Sequence, residues 1–436
     1  MEKKTVSLDT IVSLAKRRGF IYPGSEIYGG LAGTFDYGPL GVTLKKNIEN
    51  LWWRQFVESR DDMYGIDAAI LMNPKAWEAS GHVSGFSDPL IECEKCKRRF
   101  RADHLDNPST CPECGGKLGE ARQFNMMFAT KAGAAEDESA TVYLRPETAG
   151  GIFVNFKNVV DSFHPKLPFG IAQIGKAFRN EIAPREFVFR VRELEQMEIE
   201  YFVRPGEWEA SFEEWHGLMH AFAAELGIKK EDIHDLEVEG DDLAHYSKRT
   251  IDFEFDYPFG RKELWGLAYR TDFDLSAHQE HSGQKLEYLD DSTGEKFIPH
   301  VIEPSLGVGR TLLAVLLSAY HEDELGGETR AVLKLPAKIA PVKAMVSPLL
   351  KNKPELVGKA REVRALLQKV HPAIAWDDNG NIGKRYRRQD EIGTPFCITI
   401  DFDTLENGTV TLRDRDSGEQ ERLTVEEVAA RIQAVI

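Results

Sequence analysis

The sequence predicts an α+β protein, with paired strands and helices in the first three quarters and a smaller α/β unit at the end. Three observations lead there. Residues 171–202 read as two apolar strands joined by a polar loop, the first running to about Phe178 and the second starting near Val188 with alternating side chains. Residues 300–310 read as an apolar strand that turns through glycines into a helix over Thr311–Tyr320. Two prolines between Leu335 and Pro341 then mark a boundary, after which strand and helix patterns alternate over about 100 residues.

At 436 residues the chain has room for roughly two to three domains. A composition of 42% hydrophobic and 29% charged residues is globular and supports a sizeable core. The longest apolar run, around Thr311–Ala319, is too short to span a bilayer, so no membrane association is expected. The opening residues lead straight into an amphipathic helix and lack a signal-peptide layout; with five cysteines this points to a reducing, cytoplasmic setting. The net charge of −16 argues against a general nucleic-acid binder and leaves room for one specific RNA met by local basic patches.

In chain order, Ser7 caps a helix to about Arg18 that Gly19 ends. A glycine-rich loop over residues 28–41 follows. Leu40, Leu44, Ile48, Leu51, Trp52 and Phe56 then recur at helical spacing. Cys93, Cys96, Cys111 and Cys114 form two Cys-x2-Cys knuckles separated by fourteen residues. Four thiolates so spaced suit a tetrahedral structural zinc, with disulfides or a metal-free loop as the alternatives. Residues 132–140 are polar and expected as a surface loop, and Glu147 follows Pro146 as a helix-start residue would. Trp208, Phe212, Trp215, Met219, Phe222 and Leu226 give a helical core stripe, and Ile251, Phe253, Phe255 and Tyr257 alternate as a strand. His278 and His281 read as surface residues. Beyond the boundary, strands are expected at 342–346, 373–376, 396–401 and 410–414. Helices are expected at 354–370 and 382–391, with a last helix capped by Thr424. Lys384, Arg385, Arg387 and Arg388 surround Tyr386, a pattern that suits single-stranded RNA bases but also fits a solvated helix face.

The polar loop of the first strand pair carries the chemistry. Arg179, Glu181, Arg190, Arg192, Glu193, Glu195, Glu198 and Glu200 put arginines and carboxylates on one hairpin. A solvated hairpin with cross-strand ion pairs is one reading. A site for a ligand with phosphates at one end and an amine at the other is the second. The order Phe178-Arg179-Asn180-Glu181, loop, Arg190-Val191-Arg192-Glu193 resembles motif 2 of class II aminoacyl-tRNA synthetases, in the form found in glycyl-tRNA synthetases. Residues 300–310 resemble motif 3, and the helix over 40–56 with the following strand to Pro74 resembles motif 1, the dimer interface of that class.

The resemblance covers nearly the whole chain. It implies a class II antiparallel-sheet catalytic core over residues 1–337, with a zinc-ribbon-like insertion at 91–118 and an α/β anticodon-binding domain at 338–436. It further implies a homodimer that uses ATP with Mg2+ to activate glycine and esterify it to tRNA(Gly). Arg179 is the expected bridge between the α-phosphate and the attacking carboxylate, and Arg310 the partner of the γ-phosphate and outer adenine face. Around the nucleotide the resemblance places Asn180, Glu181, Phe189, Arg190, Val191 and Arg192. Glu193, Leu194, Glu263, Leu264, Gly307, Val308 and Gly309 complete that shell. Around glycine it places Arg101, Glu147, Arg270, the run Leu194, Glu195, Gln196, Met197 and Glu198, and the run Glu303, Pro304, Ser305, Leu306 and Gly307. Lys384, Arg385, Arg387 and Arg388 fall in the anticodon region. The family pattern has an adenine-stacking phenylalanine where this chain has Leu194. The alternatives are a synthetase-like tRNA binder without activity, or another class IIa specificity such as threonine, proline or histidine. The acidic residues argue for glycine.

Overall fold

The computed structural model describes residues 6–105, 107–134, 137, 140–240, 243–244 and 246–436; part of the loop expected over 132–140 lies outside them. A seven-stranded sheet organises the larger part. From one edge it runs Ile233–Glu237, Arg249–Tyr257, Gly260–Thr271, His300–Gly307, Glu193–Val203, Phe169–Phe178 and Met63–Gly65. Every pairing is antiparallel except the last.

Period-2 alternation in Glu193–Val203 divides its side chains between two environments. Met197, Ile199 and Tyr201 join the main core with the helices Pro39–Trp53, Trp208–Glu225 and Val308–Ala319. Phe202 points the other way, onto the helix Ala149–Phe163, and Gln196, Glu198 and Glu200 share that opposite face by register. This strand begins at Glu193, later than its alternation suggests. Glu186 and Phe187 take left-handed φ values of 54° and 57°, and the turn Phe187–Phe189 buries Val188 and Phe189 instead of pairing them. The helix Val308–Ala319 starts hard against that turn: a Cβ on Gly309 would lie 2.8 Å from the Val188 carbonyl oxygen.

The expected first helix is present as Leu8–Arg18, with Thr10 N–H donating to the Ser7 side chain and Gly19 at φ 75° closing it. The helix over 40–56 is also present, as Pro39–Trp53 continued by Arg54–Glu58. Its stripe of Leu44, Ile48, Trp52 and Phe56 is wholly buried in this chain's own core, so that stripe is not a free contact face. The strand expected to reach Pro74 covers only Met63–Gly65, and Pro74 instead opens the helix Pro74–Ala79, capped by Asn73. Between them and the second strand pair, Ser87–Glu92 is flanked by Arg99–Arg101 and Arg122–Asn125 in a small sheet that carries the cysteine knuckles.

The C-terminal sheet is ordered Ile374–Trp376, Ala344–Pro348, Phe396–Ile400, Val410–Asp414, Gln420–Leu423, parallel at its first two pairings and antiparallel at the rest. Thr424 caps the last helix, Val425–Gln433, through a full capping box with Glu427. This unit is fastened to the hairpin Tyr320–Leu325/Glu328–Leu333 by buried Arg330, which meets Asp390 at 3.1 Å and the Arg415 carbonyl at 2.7 Å. Among the described residues no helix is long and apolar enough to cross a membrane.

Candidate active site

A cleft of ≈ 280 Å³ opens over the ends of the central strands. Motif order explains its make-up. Phe169–Phe178 delivers Arg179 at its exit, and the return strand delivers Leu194 and Gln196; His300–Gly307 brings Ser305 and Gly307, and the helix that follows presents Arg310.

At one end the lining is cationic. Arg179 donates from Nε to the Pro146 carbonyl at 3.0 Å and lies over the Phe86 ring. Arg310 pairs with Glu263 at 2.8 Å and stacks over Phe189, 4.5 Å from guanidinium carbon to ring centroid. Arg190 donates weakly to His104 Nδ1 at 3.4 Å, as does Arg185. Glu181 has its carboxyl pushed up by burial, against the pull of Arg190 and Arg179, and its Oε2 is buried without a hydrogen-bond partner. Val191, Glu193, Leu194, Glu195 and Leu264 complete this wall. Among these, Glu195 is committed to an ion pair with Lys45. Asn180 N–H donates to the Met126 carbonyl, which fixes the loop. Arg192 turns away, donating to the carbonyls of Ala32 at 2.7 Å and Glu181 at 3.0 Å; it ties the glycine-rich loop to the motif 2 loop.

Behind Gln196 and Ser305, which line the cleft, lies a buried acidic cluster that is not itself part of the lining. Glu198 accepts from Ser305 Oγ at 2.8 Å, Gln196 Nε2 at 3.1 Å, and both the backbone N–H (3.1 Å) and the hydroxyl of Thr148. Thr148 precedes the helix Ala149–Phe163, so a helix N-terminus faces this carboxylate. Glu303 meets Arg270 at 2.8 Å, and Arg270 is in turn gripped by Asp274 through two 2.8 Å hydrogen bonds and lies over Tyr246. Glu200 is fully buried, with neither carboxylate oxygen hydrogen-bonded. An oxygen from each of Glu198, Glu200 and Glu303 falls within 4.8 Å of the others. Burial raises all three carboxyls, Glu303 to about 8, and the neighbouring negative charges add to it. Glu147 runs the other way: burial would raise it, but His82 at 3.4 Å, Arg270 and Arg179 hold it well below the usual range.

Comparison with known proteins places the chain in a family. Residues 128–319 match the tRNA synthetase class II core domain (G, H, P, S and T), and residues 343–435 match an anticodon-binding domain. The chain is 50% identical to the glycine–tRNA ligase of Caldanaerobacter subterraneus subsp. tengcongensis, with 97% of each chain covered. It is 51% identical to those of Clostridium acetobutylicum and Thermobifida fusca, with 98% of each chain covered. The chain belongs to the glycine–tRNA ligase family.

Not every residue that the glycine–tRNA ligase resemblance suggested lines the cleft: Glu147, Glu198, Arg270 and Glu303 are buried or half-buried outside its lining. Met197 and Leu306 point into the main core, on the face of their strands away from the acids. Pro304 and Val308 are buried beneath the lining. Arg101 lines the cleft, held by Asp88 at 2.8 Å and by Asp103. Arg385 is buried, donating to Ser347 Oγ and to the carbonyls of Pro348, Asp378 and Gly380; it holds its own unit together and offers nothing to a ligand. Arg387 and Arg388 are partly exposed, paired with Glu328 and Asp377, and Lys384 is exposed. His278 is buried against Phe153 and is no surface residue. Four contributors went unassigned in the sequence: His82, Thr148, Asp274 and Glu200. Glu200 carried a signal, since it continues the alternation of Gln196 and Glu198.

The cysteine knuckles also converge. Sγ of Cys93 and Cys114 lie 3.6 Å apart and those of Cys96 and Cys111 3.7 Å apart, and all four fall within 4.8 Å of one another. A tetrahedral S4 shell around zinc has edges of about 3.8 Å. A Cβ on Gly116 would come within 3.2 Å of both Cys93 and Cys114 Sγ, so glycine is needed to close this cradle. The four thiols are free of disulfides and compatible with zinc.

Proposed function

We propose that the protein activates glycine with ATP and transfers the glycyl group to the 3′ end of tRNA(Gly). The observation that carries this reading is the buried cluster of Glu198, Glu200 and Glu303, beside Glu147, just behind Gln196 and Ser305 on the wall of an arginine-lined cleft. Carboxylates that burial has made reluctant to ionise gain most from a compact ammonium, and glycine presents one without a side chain.

In this reading glycine's ammonium sits among Glu147, Glu198 and Glu303, with Ser305 and Gln196 fixing Glu198. Arg270 is saturated by Asp274 and Glu303 and so positions the acids, and Arg101 is likewise held by Asp88 and Asp103, which leaves Arg179 for the substrate carboxylate. That carboxylate attacks the α-phosphorus, pyrophosphate leaves, and Arg179 and Arg310 stabilise the growing charge. Mg2+, when bound, would supply further charge neutralisation, and Glu181, with its unpartnered buried oxygen, would be the carboxylate to hold it. Larger amino acids are rejected by clash and by the cost of burying the acids without full pairing. No second sieve is required, since the competitors are larger than the substrate.

The same reading assigns residues 1–337 to the catalytic unit and 338–436 to anticodon binding, with Lys384, Arg387 and Arg388 as the contacts that helix can offer. It makes the insertion at 91–118 a zinc knuckle held by Cys93, Cys96, Cys111 and Cys114, and the molecule a cytoplasmic homodimer. Metal analysis giving about one sulfur-bound zinc per chain supports the knuckle, and none, with four free thiols, removes it. Light scattering of an active monomer removes the dimer. The reading as a whole rests on amino-acid-dependent pyrophosphate exchange measured across all twenty amino acids. Glycine alone should support it; exchange with threonine, proline or histidine, or with none, overturns the proposal.

A further inference from the structure

A second metal-binding constellation lies far from the cysteine knuckle and outside the cleft. His216 and His220 occupy successive turns of the helix Trp208–Glu225, so their rings emerge on one face. That face lies over the sheet edge, where Asp235 rises from the strand Ile233–Glu237. His216 Nε2 lies 2.9 Å from Asp235 Oδ2, and His220 Nε2 lies 2.9 Å from Oδ1 of the same carboxylate. The three ligand atoms fall within 4.8 Å of one another.

From these atoms we infer that His216, His220 and Asp235 form a site for a borderline transition-metal dication such as zinc or nickel. Two imidazoles on one helix turn plus a carboxylate from another element is a donor set for such ions; magnesium and calcium prefer all-oxygen shells. Bonds of about 2.1 Å place neighbouring donors about 3.0–3.4 Å apart, so the observed spacing needs only a few tenths of an ångström of opening. The rings are already oriented. Both pack on Phe253, with centroids 5.4 and 5.0 Å away, and on each other edge to face at 4.9 Å. Trp215 and Met219, buried on the same helix, fix its rotation. Asp235 stays partly exposed, so an ion can enter from solvent and keep water in its remaining positions. On binding, each imidazole carries its proton on Nδ1 and gives the Nε2 lone pair to the metal, while Asp235 exchanges two hydrogen bonds for one metal–oxygen bond. The ion then clips the helix to the strand at the open edge of the sheet.

The test counts cobalt(II) bound to the full-length chain after equilibrium dialysis, in wild type and in the double variant H216A/H220A. The wild type should take up one ion more than the variant, and this extra ion should lack the near-ultraviolet thiolate charge-transfer band of a cysteine site. Zinc should raise the wild-type melting temperature by a step that the variant does not show. Equal uptake by the two proteins overturns the inference, as does an extra ion that carries thiolate absorption. Because truncating two packed rings can disturb the fold, H220Q and D235N are measured alongside, with glycine-dependent exchange as the check of foldedness. Retention of the extra ion in both, at wild-type affinity, also overturns it.

Discussion

In the acid cluster behind the cleft, Glu303 is locked to Arg270, which Asp274 grips in turn, and Glu198 takes hydrogen bonds from three side chains and a helix N-terminus. At the arginine end, Arg179 leans on a backbone carbonyl and an aromatic face, and Arg190 on a histidine 3.4 Å away. The first arrangement is dry, crowded and fixed before any ligand arrives. Arg179 and Arg190 are half-buried and held by contacts that a phosphate oxygen easily outbids, while Arg310 keeps its ion pair with Glu263. The contrast separates selection from chemistry. A pocket that must recognise the smallest amino acid gains from rigidity, since discrimination rests on what will not fit. Cations that must follow charge from the ground state to the transition state gain from weak prior commitments.

The largest expected break in this contrast comes from Arg179→Ala. Glycine-dependent pyrophosphate exchange should fall roughly a hundred- to a thousandfold, mostly in kcat, because the lost contact strengthens as charge builds. A loss confined to the KM for ATP would make Arg179 a ground-state contact only. Next is Glu198→Gln, which keeps the shape and removes one charge. A charged hydrogen bond of about 1.5–3 kcal/mol predicts a loss of roughly ten- to 150-fold in kcat/KM for glycine, with ATP affinity measured without glycine unchanged. Parallel losses for both substrates would show that the two ends are not independent.

A third test uses pH. Folding raises Glu303 to about 8 from an ordinary value near 4.3, so its protonated form is the favoured one in the free protein. This contribution to stability is complete below the ordinary value and is lost as pH rises through about 8. An ammonium favours the ionised form, so binding glycine should release a proton at neutral pH. The KM for glycine should drop severalfold between roughly pH 6.5 and 8 while that for ATP changes less, and Glu303→Gln should abolish the difference. The smallest effect is expected at Leu194, on the nucleotide side. Leu194→Phe restores a ring at the position where the family pattern has one, and stacking of about 0.5–1.5 kcal/mol should lower the KM for ATP a few-fold without touching glycine. An increase would mean that the wall around Phe189 has no room for a second ring.

The larger features were legible in the sequence because they rest on periodicity and caps. The helices opened by Ser7 and Thr424 and the strand Val410–Asp414 match the sequence expectations at those positions. What stayed hidden depended on contacts distant in the chain. The alternation near Val188 looks like strand, but two left-handed residues and the approach of Gly309 turn it into a buried turn. The stripe of Leu44, Ile48, Trp52 and Phe56 fits a core and an interface equally well by spacing, and only packing shows it in the core. Arg385 is one of four basic residues at the start of its helix, yet one helical position turns it inward onto four oxygens. His82 and Asp274 reach the acid pocket from segments that carry no signal of their own.

The two-residue repeat of Glu193–Val203 also sets what changes of length this protein can survive. Adding or removing one residue at Arg185, the exposed point of the loop between Asn180 and Arg192, leaves the strand pairing beyond the Arg179–Arg192 backbone bond in register. The same change after Leu194 would turn Met197 and Ile199 toward the substrate and drive Glu198 and Glu200 into hydrocarbon, exchanging a selective cavity for a greasy one in a single step. Drift in length is therefore open only at the exposed point of the loop, and closed both to the buried Val188–Phe189 turn and to the strand beyond it.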